Sequence, residues 1–204
     1  MGRRFHLGRR FPLASPGAVP NLGRSENAYT THAGAETAMV DAIELLKQQH
    51  REVDELFEKF EKASEGKGEQ VLMDLFARIA DNLAAHAAIE EKIFYPSVYV
   101  GPTADKLQEA VEEHLAVKRV IADLLDMDPA DAQFKAKMKV LQEMVEHHVE
   151  EEEKQLFKSV KKLMTKEELA VLGEQMEALF DELIQTEPRL QVPRETDEAA
   201  PLPQ

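Results

Sequence analysis

From about residue 39 onward, apolar residues recur at steps of three and four, the spacing that gathers side chains onto one face of an α-helix. A first helix over about 39–64 carries Ile43, Leu46, Val53, Phe57 and Phe60, and ends in the EGKG turn at 65–68. A second, over about 69–96, carries Leu72, Phe76, Ile79, Leu83 and Ile93 and is expected to close at Pro96. A third runs from Thr103, read as its N-cap, to about Asp126, with Leu107, Val111, Ile121 and Leu125 on its stripe. In DMDPAD, Asp128 is expected to cap a fourth helix with Pro129 at its first position. That helix, striped by Met138, Leu141, Val145 and Leu156, reaches about Met164. Thr165 with Glu168 reads as a capping box opening a fifth helix, to about Gln185.

Four long helices with short connections predict an all-α fold, an antiparallel up-down four-helix bundle with an additional C-terminal helix. The first two helices and the next two carry matching features, so the bundle reads as a duplicated helical hairpin. The bundle is assigned to 39–164 and the C-terminal helix to 165–186. Its stripe of Leu169, Leu172, Met176, Leu179 and Phe180 suits packing on the bundle, on a partner protein or on a second copy. Residues 187–204, rich in Pro and Glu, are expected to lack structure.

Residues 1–38 stand apart, with Arg3, Arg4, Arg9, Arg10 and Arg24 and no acidic residue before Glu26. A twin-arginine export signal is disfavoured because no apolar h-region follows. A transit peptide fits the Arg-rich, acid-poor composition. The preferred reading is an upstream extension ahead of a start at Met39, since MVDAIELLKQQH begins the helical pattern at once. The segment is expected to be disordered in each case.

Composition narrows the chemistry. The chain has no Cys, so disulfides, thiolate metal sites and thiol catalysis are excluded, and His, Glu, Asp, Lys and Tyr remain. A net charge of −14 argues against nucleic acid and anionic membranes as partners and favours uptake of cations. No apolar run approaches a membrane span, and a cytoplasmic location is expected.

Each stripe breaks its apolar rhythm near the middle. His50 stands on the first, His86 and Glu90 on the second, His114 and Lys118 on the third, His148 and Glu152 on the fourth. A buried carboxylate needs a positive partner, and a buried imidazole needs an acceptor or a metal. Four His and two Glu at one level of a bundle satisfy both needs by binding cations. The i, i+4 spacing puts His and Glu about 6 Å apart along one face. Imidazole with carboxylate suits Fe, Mn or Zn rather than Ca or Mg. His147 competes with His148 but lies about 100° off the stripe. Phe94, Tyr95 and Phe157 read as packing residues, with Tyr95 also within reach as a redox or proton-donating neighbour. Of the run Glu150 to Glu153, only Glu152 is expected to face inward.

His50, HAAIE at 86–90, His114 and HVEEE at 148–152, with the EEKIFYP and EEEKQLF continuations, resemble the hemerythrin-like HHE cation-binding domain family over 40 to about 164. The resemblance implies a non-haem di-iron site, with His50 and His86 on one iron, His114 and His148 on the other, and Glu90 and Glu152 bridging. It departs from the oxygen-carrying hemerythrins. Those have a further His where this chain has Lys118, and an Asp five residues after the last His where this chain has Glu152 at four. One iron has then lost a nitrogen ligand, which favours reaction with O2, peroxide or NO over reversible oxygen carriage. Lys118 reads first as a snorkelling lysine, with a hydrogen bond to a bound anion or solvent as the alternative. A hemerythrin-like group implicated in repairing iron centres shares this ligand set, but its frequent cysteine module is missing here. The leading expectation is therefore a di-iron protein that binds or reacts with a small diatomic or peroxide ligand in stress response or iron handling. Its rivals are an iron sensor or store whose occupancy controls partner binding, and a metal-free structural module.

Overall fold

The computed structural model describes residues 40–203, so the readings made of residues 1–38 lie outside it. Helix α1 (Ala42–Ser64) begins at Asp41, whose Oδ1 accepts from the Ile43 and Glu44 backbone N–H groups at 3.0 Å each. That is an ordinary N-cap. Gly68 precedes α2 (Glu69–Ile89), and Pro96 does not stop the chain. A π-helical segment, Glu90–Phe94, follows α2, and the helix resumes as α3 (Tyr95–Val98). The Tyr95 N–H bonds to the Glu90 carbonyl, one residue farther back than in an α-helix. At this change of register a residue without an N–H is tolerated, which is why Pro96 sits inside helical structure.

Thr103 precedes α4 (Ala104–Leu125) but does not cap it with its side chain. Its buried hydroxyl donates to the Val98 and Val100 carbonyls instead and stitches the incoming loop. The expected cap at Asp128 is also displaced. Asp131 caps α5 (Ala132–Glu151), accepting from Gln133 N–H at 2.8 Å, while Asp128 closes a turn onto Ala130 N–H. A second π-helical segment, Glu152–Leu156, leads into α6 (Phe157–Leu163). The Thr165–Glu168 capping box forms, opening α7 (Lys166–Ile184).

Helix α1 packs along α2, and α4 along α5, so the described residues form two helical hairpins. One apolar core joins Ile43 and Leu46 to Ile89, Phe94, Leu107, Val111, Leu156 and Phe157. The other joins Val53, Phe57 and Phe60 to Phe76, Ile79, Ile121, Phe134 and Leu141. Early residues of α1 thus meet late residues of α2, and early residues of α4 meet late ones of α5, the antiparallel order expected. Between the two cores lies the level of the inward-facing His and Glu.

Helix α7 lies against α1 and α2 and buries Leu169, Leu172 and Met176. Its contact with the start of α1 is close. A Cβ built on Gly173 would fall 2.2 Å from the Val40 carbonyl oxygen and 2.9 Å from Ala42 N. Beyond α7 the chain departs from expectation. Residues 187–203 form short 3₁₀ turns, Pro188–Leu190 and Val192–Arg194, that pack on α2 and α4. Arg189 pairs with Asp81 of α2, Val192 is buried in the second core, and Arg119 of α4 donates to the Thr196 and Asp197 carbonyls. Composition alone argued for disorder; these few buried tertiary contacts outweigh it.

Candidate metal centre

Steps of three and four along each helix bring His50, His86, His114 and His148, with Glu90 and Glu152, to one buried level, none more than 8 % exposed. Glu90 and Glu152 also mark the starts of the two π segments. A π turn adds one residue and widens the helix locally, so each carboxylate stays inward beside its own histidine while the following residues shift face. Nε2 of His86 and of His114 each lie 3.3 Å from Glu90 Oε2. Glu152 Oε2 lies 3.4 Å from His50 Nε2 and 3.6 Å from His148 Nε2. Glu90 therefore faces one histidine of each hairpin, and so does Glu152. Nε2 atoms of His114 and His148 approach to 3.1 Å.

The outer nitrogens are all occupied, by residues the sequence reading passed over. Nδ1 of His50 lies 2.9 Å from Glu153, that of His86 2.8 Å from Gln49, that of His114 3.0 Å from Glu91, and that of His148 2.8 Å from Glu113. The pattern repeats across the hairpins. The residue before each lone His (Gln49, Glu113) holds the partner His of its own hairpin. The residue after each inward Glu (Glu91, Glu153) holds the lone His of the other. The aromatic five places after that Glu stacks on the same ring: Tyr95 on His114 with centroids 5.6 Å apart, Phe157 on His50 at 6.0 Å. Glu153 thus faces inward by its tip, contrary to the expectation that only Glu152 would. His147 is largely exposed, 3.4 Å from Glu113, and does not reach the buried level.

Tyr95 lies deeper than a packing residue. Its hydroxyl is 3.1 Å from Glu152 Oε1, 3.3 Å from Glu90 Oε2 and 3.4 Å from His114 Nε2. Burial, then the Glu152 and Glu90 charges, push it well above the ordinary phenol range, so it stays protonated and donates. Lys118 does not face the centre with a free ammonium. Its Nζ is committed to Glu91, at 2.8 and 3.1 Å, and to Glu195, at 3.0 Å. The ammonium that the alternative reading gave to a bound anion is taken up by these carboxylates.

The electrostatics are unbalanced. Burial pushes the Glu90 carboxyl well above its ordinary range, and Glu152 adds to this. At Glu152 burial pulls the same way, but His148 and His50 outweigh it and hold that carboxyl low. Burial pushes His86 well below the usual imidazole range, with His50 adding to it. At His50 burial also lowers, but Glu152 and Glu153 prevail and the net is upward. Protein groups alone thus leave the two carboxylates unable to ionise together without added positive charge. Four polar atoms aimed inward have no hydrogen-bond partner among the described residues: His50 Nε2, His86 Nε2, Glu90 Oε1 and Glu152 Oε2. Buried polar atoms are rarely left so. Each imidazole is held by Nδ1 with Nε2 presented inward, the arrangement that orients histidine toward a metal. Ligand atoms of His50, His86, Glu90 and Glu152 cluster within 4.8 Å, as do those of Glu90, His114 and His148. This donor set fits metal ions. Above it lies a cavity of about 40 Å³, walled by Val53, Leu83, Val117, Ile121 and Val145 and floored by the four histidines.

Comparison with known proteins agrees with this geometry. A curated relative from Nostoc sp. (strain PCC 7120), named DNA nickase, is 25% identical over 155 residues. The match takes in 72% of this chain but spans only 43% of that relative, less than half its length. The crystal structure of a hemerythrin HHE cation binding domain-containing protein from Mycobacterium kansasii superposes with a TM-score of 0.64 at 25% identity, covering 72% of this chain and 90% of that one. No helix among the described residues is long and apolar enough to cross a membrane. The family described as hemerythrin HHE cation binding domain matches residues 41–160, more than half of the sequence, and the chain belongs to that family.

Proposed function

We propose that this domain holds two metal ions, iron by preference, and binds or reduces a small diatomic or peroxide ligand: O2, peroxide or NO. His50 and His86 would hold one ion, His114 and His148 the other, with Glu90 and Glu152 shared between them. The observation that carries this reading is the set of inward atoms without partners among the described residues, Nε2 of His50 and His86 with Oε1 of Glu90 and Oε2 of Glu152, at a level where every Nδ1 is already engaged. Mn or Zn suits the same donors, but only iron or manganese supplies the one-electron chemistry that such small ligands need.

The protein's own share is placement and exclusion. Gln49, Glu91, Glu113 and Glu153 fix the imidazoles, and Tyr95 offers a proton at its hydroxyl between the two carboxylates. The apolar cavity over the histidines admits a molecule of a few atoms. With Lys118 in place of a fifth histidine, the donor set is short of nitrogen on one side, which favours reaction over reversible oxygen carriage. The DNA-nicking activity in the Nostoc relative's name is not carried over. That protein is more than twice the matched length, and a charge of −14 opposes a phosphate backbone.

The test is anaerobic loading of the purified chain with Fe(II), elemental analysis, then mixing with O2, peroxide or NO. About two irons per chain, followed by ligand-dependent spectral change and turnover, supports the reading. Stable iron without any reaction would favour the sensor or store. No metal in the wild type, and equal behaviour of His86→Ala and Glu152→Ala, would leave only a structural module.

A further inference from the structure

The two hairpins correspond position by position around the site, and the correspondence fails most sharply at Lys118. Four residues after the lone histidine of the first hairpin stands Asp54; four after that of the second stands Lys118. Asp54 carries the wrong charge to brace Glu153, whereas Lys118 grips both oxygens of Glu91, and Glu91 in turn holds His114 Nδ1. Lys118 is itself held by Glu195 from the C-terminal segment. That segment is fixed on either side of the contact, by Arg189 on Asp81 and by Arg119 on the Thr196 and Asp197 carbonyls.

We propose that Lys118 and Glu195 are positioning residues of the metal centre: the C-terminal segment, acting through Glu195, Lys118 and Glu91, holds the His114 ring with Nε2 toward the ligand level. The inference rests on the metal-binding reading above. Glu91 and Lys118 side chains are each only 10% exposed, so neither can turn to water without breaking the chain of contacts. Glu91 also lies beside the inward Glu90, and without Lys118 it would be a second buried negative charge with every reason to swing away from His114. The Glu195 carboxylate is 52% exposed, so solvent screens it and its share is the smallest of the three. Docking of the tail and retention of metal are then linked, and linkage runs both ways.

The experiment uses the full chain loaded anaerobically with Co(II), whose visible absorption reports ligand geometry. Transfer of Co(II) to an added chelator gives the release rate. Loss of a residue that orients a ligand costs about 10-fold or more in metal affinity, so Lys118→Met is expected to release Co(II) about 10-fold faster and to shift the spectrum. Lys118→Arg, which keeps the charge, is expected to restore the rate to within about 2-fold of wild type. Glu195→Gln should speed release by about 2- to 5-fold, in keeping with its exposure, and add little on top of Lys118→Met. Arg189→Ala loosens the same segment elsewhere and, by that linkage, should lower the melting temperature and speed release by no more than Glu195→Gln does. Bound Co(II) should also slow proteolysis of the segment in the wild type. Release rates and spectra for Lys118→Met equal to wild type would overturn the proposal. So would Arg189→Ala speeding release more than Lys118→Met, since the tail would then act through overall stability rather than through Lys118. A wild-type chain that takes up no Co(II) overturns the metal-binding reading along with this one, whereas normal loading with unaltered variants overturns this one alone.

Discussion

Replacing Glu90 by Gln should strengthen the metal-free protein and weaken the metal-loaded one. Glu90 is fully buried, its Oε1 has no partner, and burial raises its carboxyl well above the usual 4.5. A raised folded value means that, between 4.5 and that value, the folded chain holds a proton the unfolded chain has released. Stability of the metal-free wild type therefore falls as pH rises through this window, by about 1.36 kcal/mol per pH unit from this group. Gln has no proton to lose and its amide is close to isosteric, so the variant lacks this slope. For a domain of this size 1 kcal/mol moves the melting temperature by about 2–4 °C. The variant's advantage should accordingly be small near pH 4.5 and widen by about 3–5 °C per pH unit above it. The assay is thermal unfolding by circular dichroism, with chelator, at several pH values stepped upward from 4.5. Adding Fe(II) should narrow that lead, and should invert the order at the lower pH values, where the lead is still smaller than the gain from the metal. The wild type gains about 2.7 kcal/mol when the metal stands at 100 times its dissociation constant, and the variant gains less. Melting curves that stay parallel across this range, or a variant less stable at every pH without metal, would refute the claim that Glu90 is a carboxylate held against its own preference.

Gly173→Ala should cost about 1–3 kcal/mol, because its methyl would press on backbone at the start of α1 rather than on a movable side chain; an unchanged urea midpoint would show that α7 can shift freely. Tyr95→Phe keeps the ring over His114 but removes the donor to Glu152 and Glu90, and should lower metal-free stability by about 1–3 kcal/mol, read by urea unfolding with chelator present. Metal affinity should fall as pH falls, since protons compete for the same Nε2 atoms. His50 makes the sign explicit: its raised folded value favours the protonated ring below that value, and metal must displace this proton. A chelator-competition titration that gives one affinity at pH 5.5 and 7.5 would contradict it.

The helices and the inward faces of all six His and Glu residues follow from the sequence because both depend on a local period that side chains alone display. The braces on the histidines do not. At α-helical phase Glu91 and Glu153 fall off the apolar stripe and look solvated; they reach inward because the π segments add a residue and because a neighbouring helix presents an imidazole to them. Their trace in the sequence is faint but repeated, an acidic pair before Lys in both hairpins (EEK at 90–92 and at 152–154), followed by an aliphatic–aromatic pair that starts one residue after the Lys in the first (93–94) and two after it in the second (156–157). Residue type alone points to Thr103 and Asp128 as caps, whereas the loop geometry uses Thr103 to bind Val98 and hands the capping of α5 to Asp131. The C-terminal segment has too few apolar residues to announce itself. Its order comes from Val192, Arg189 and Glu195 meeting α2 and α4, contacts between positions far apart in the chain.

Neither hairpin owns its half of the site. The lone histidine of each is steered by a glutamate and covered by an aromatic from the other, in the same places both times. Two copies of a single such hairpin, related by a two-fold axis, would build a symmetric version of the same centre without any further element. Joining them in one chain removes the requirement that both sides be alike. The unlike pairs Gln49 and Glu113, Phe157 and Tyr95, and Asp54 and Lys118 are what that freedom permits, and they make the two sides of the site chemically unlike within one nearly symmetric frame.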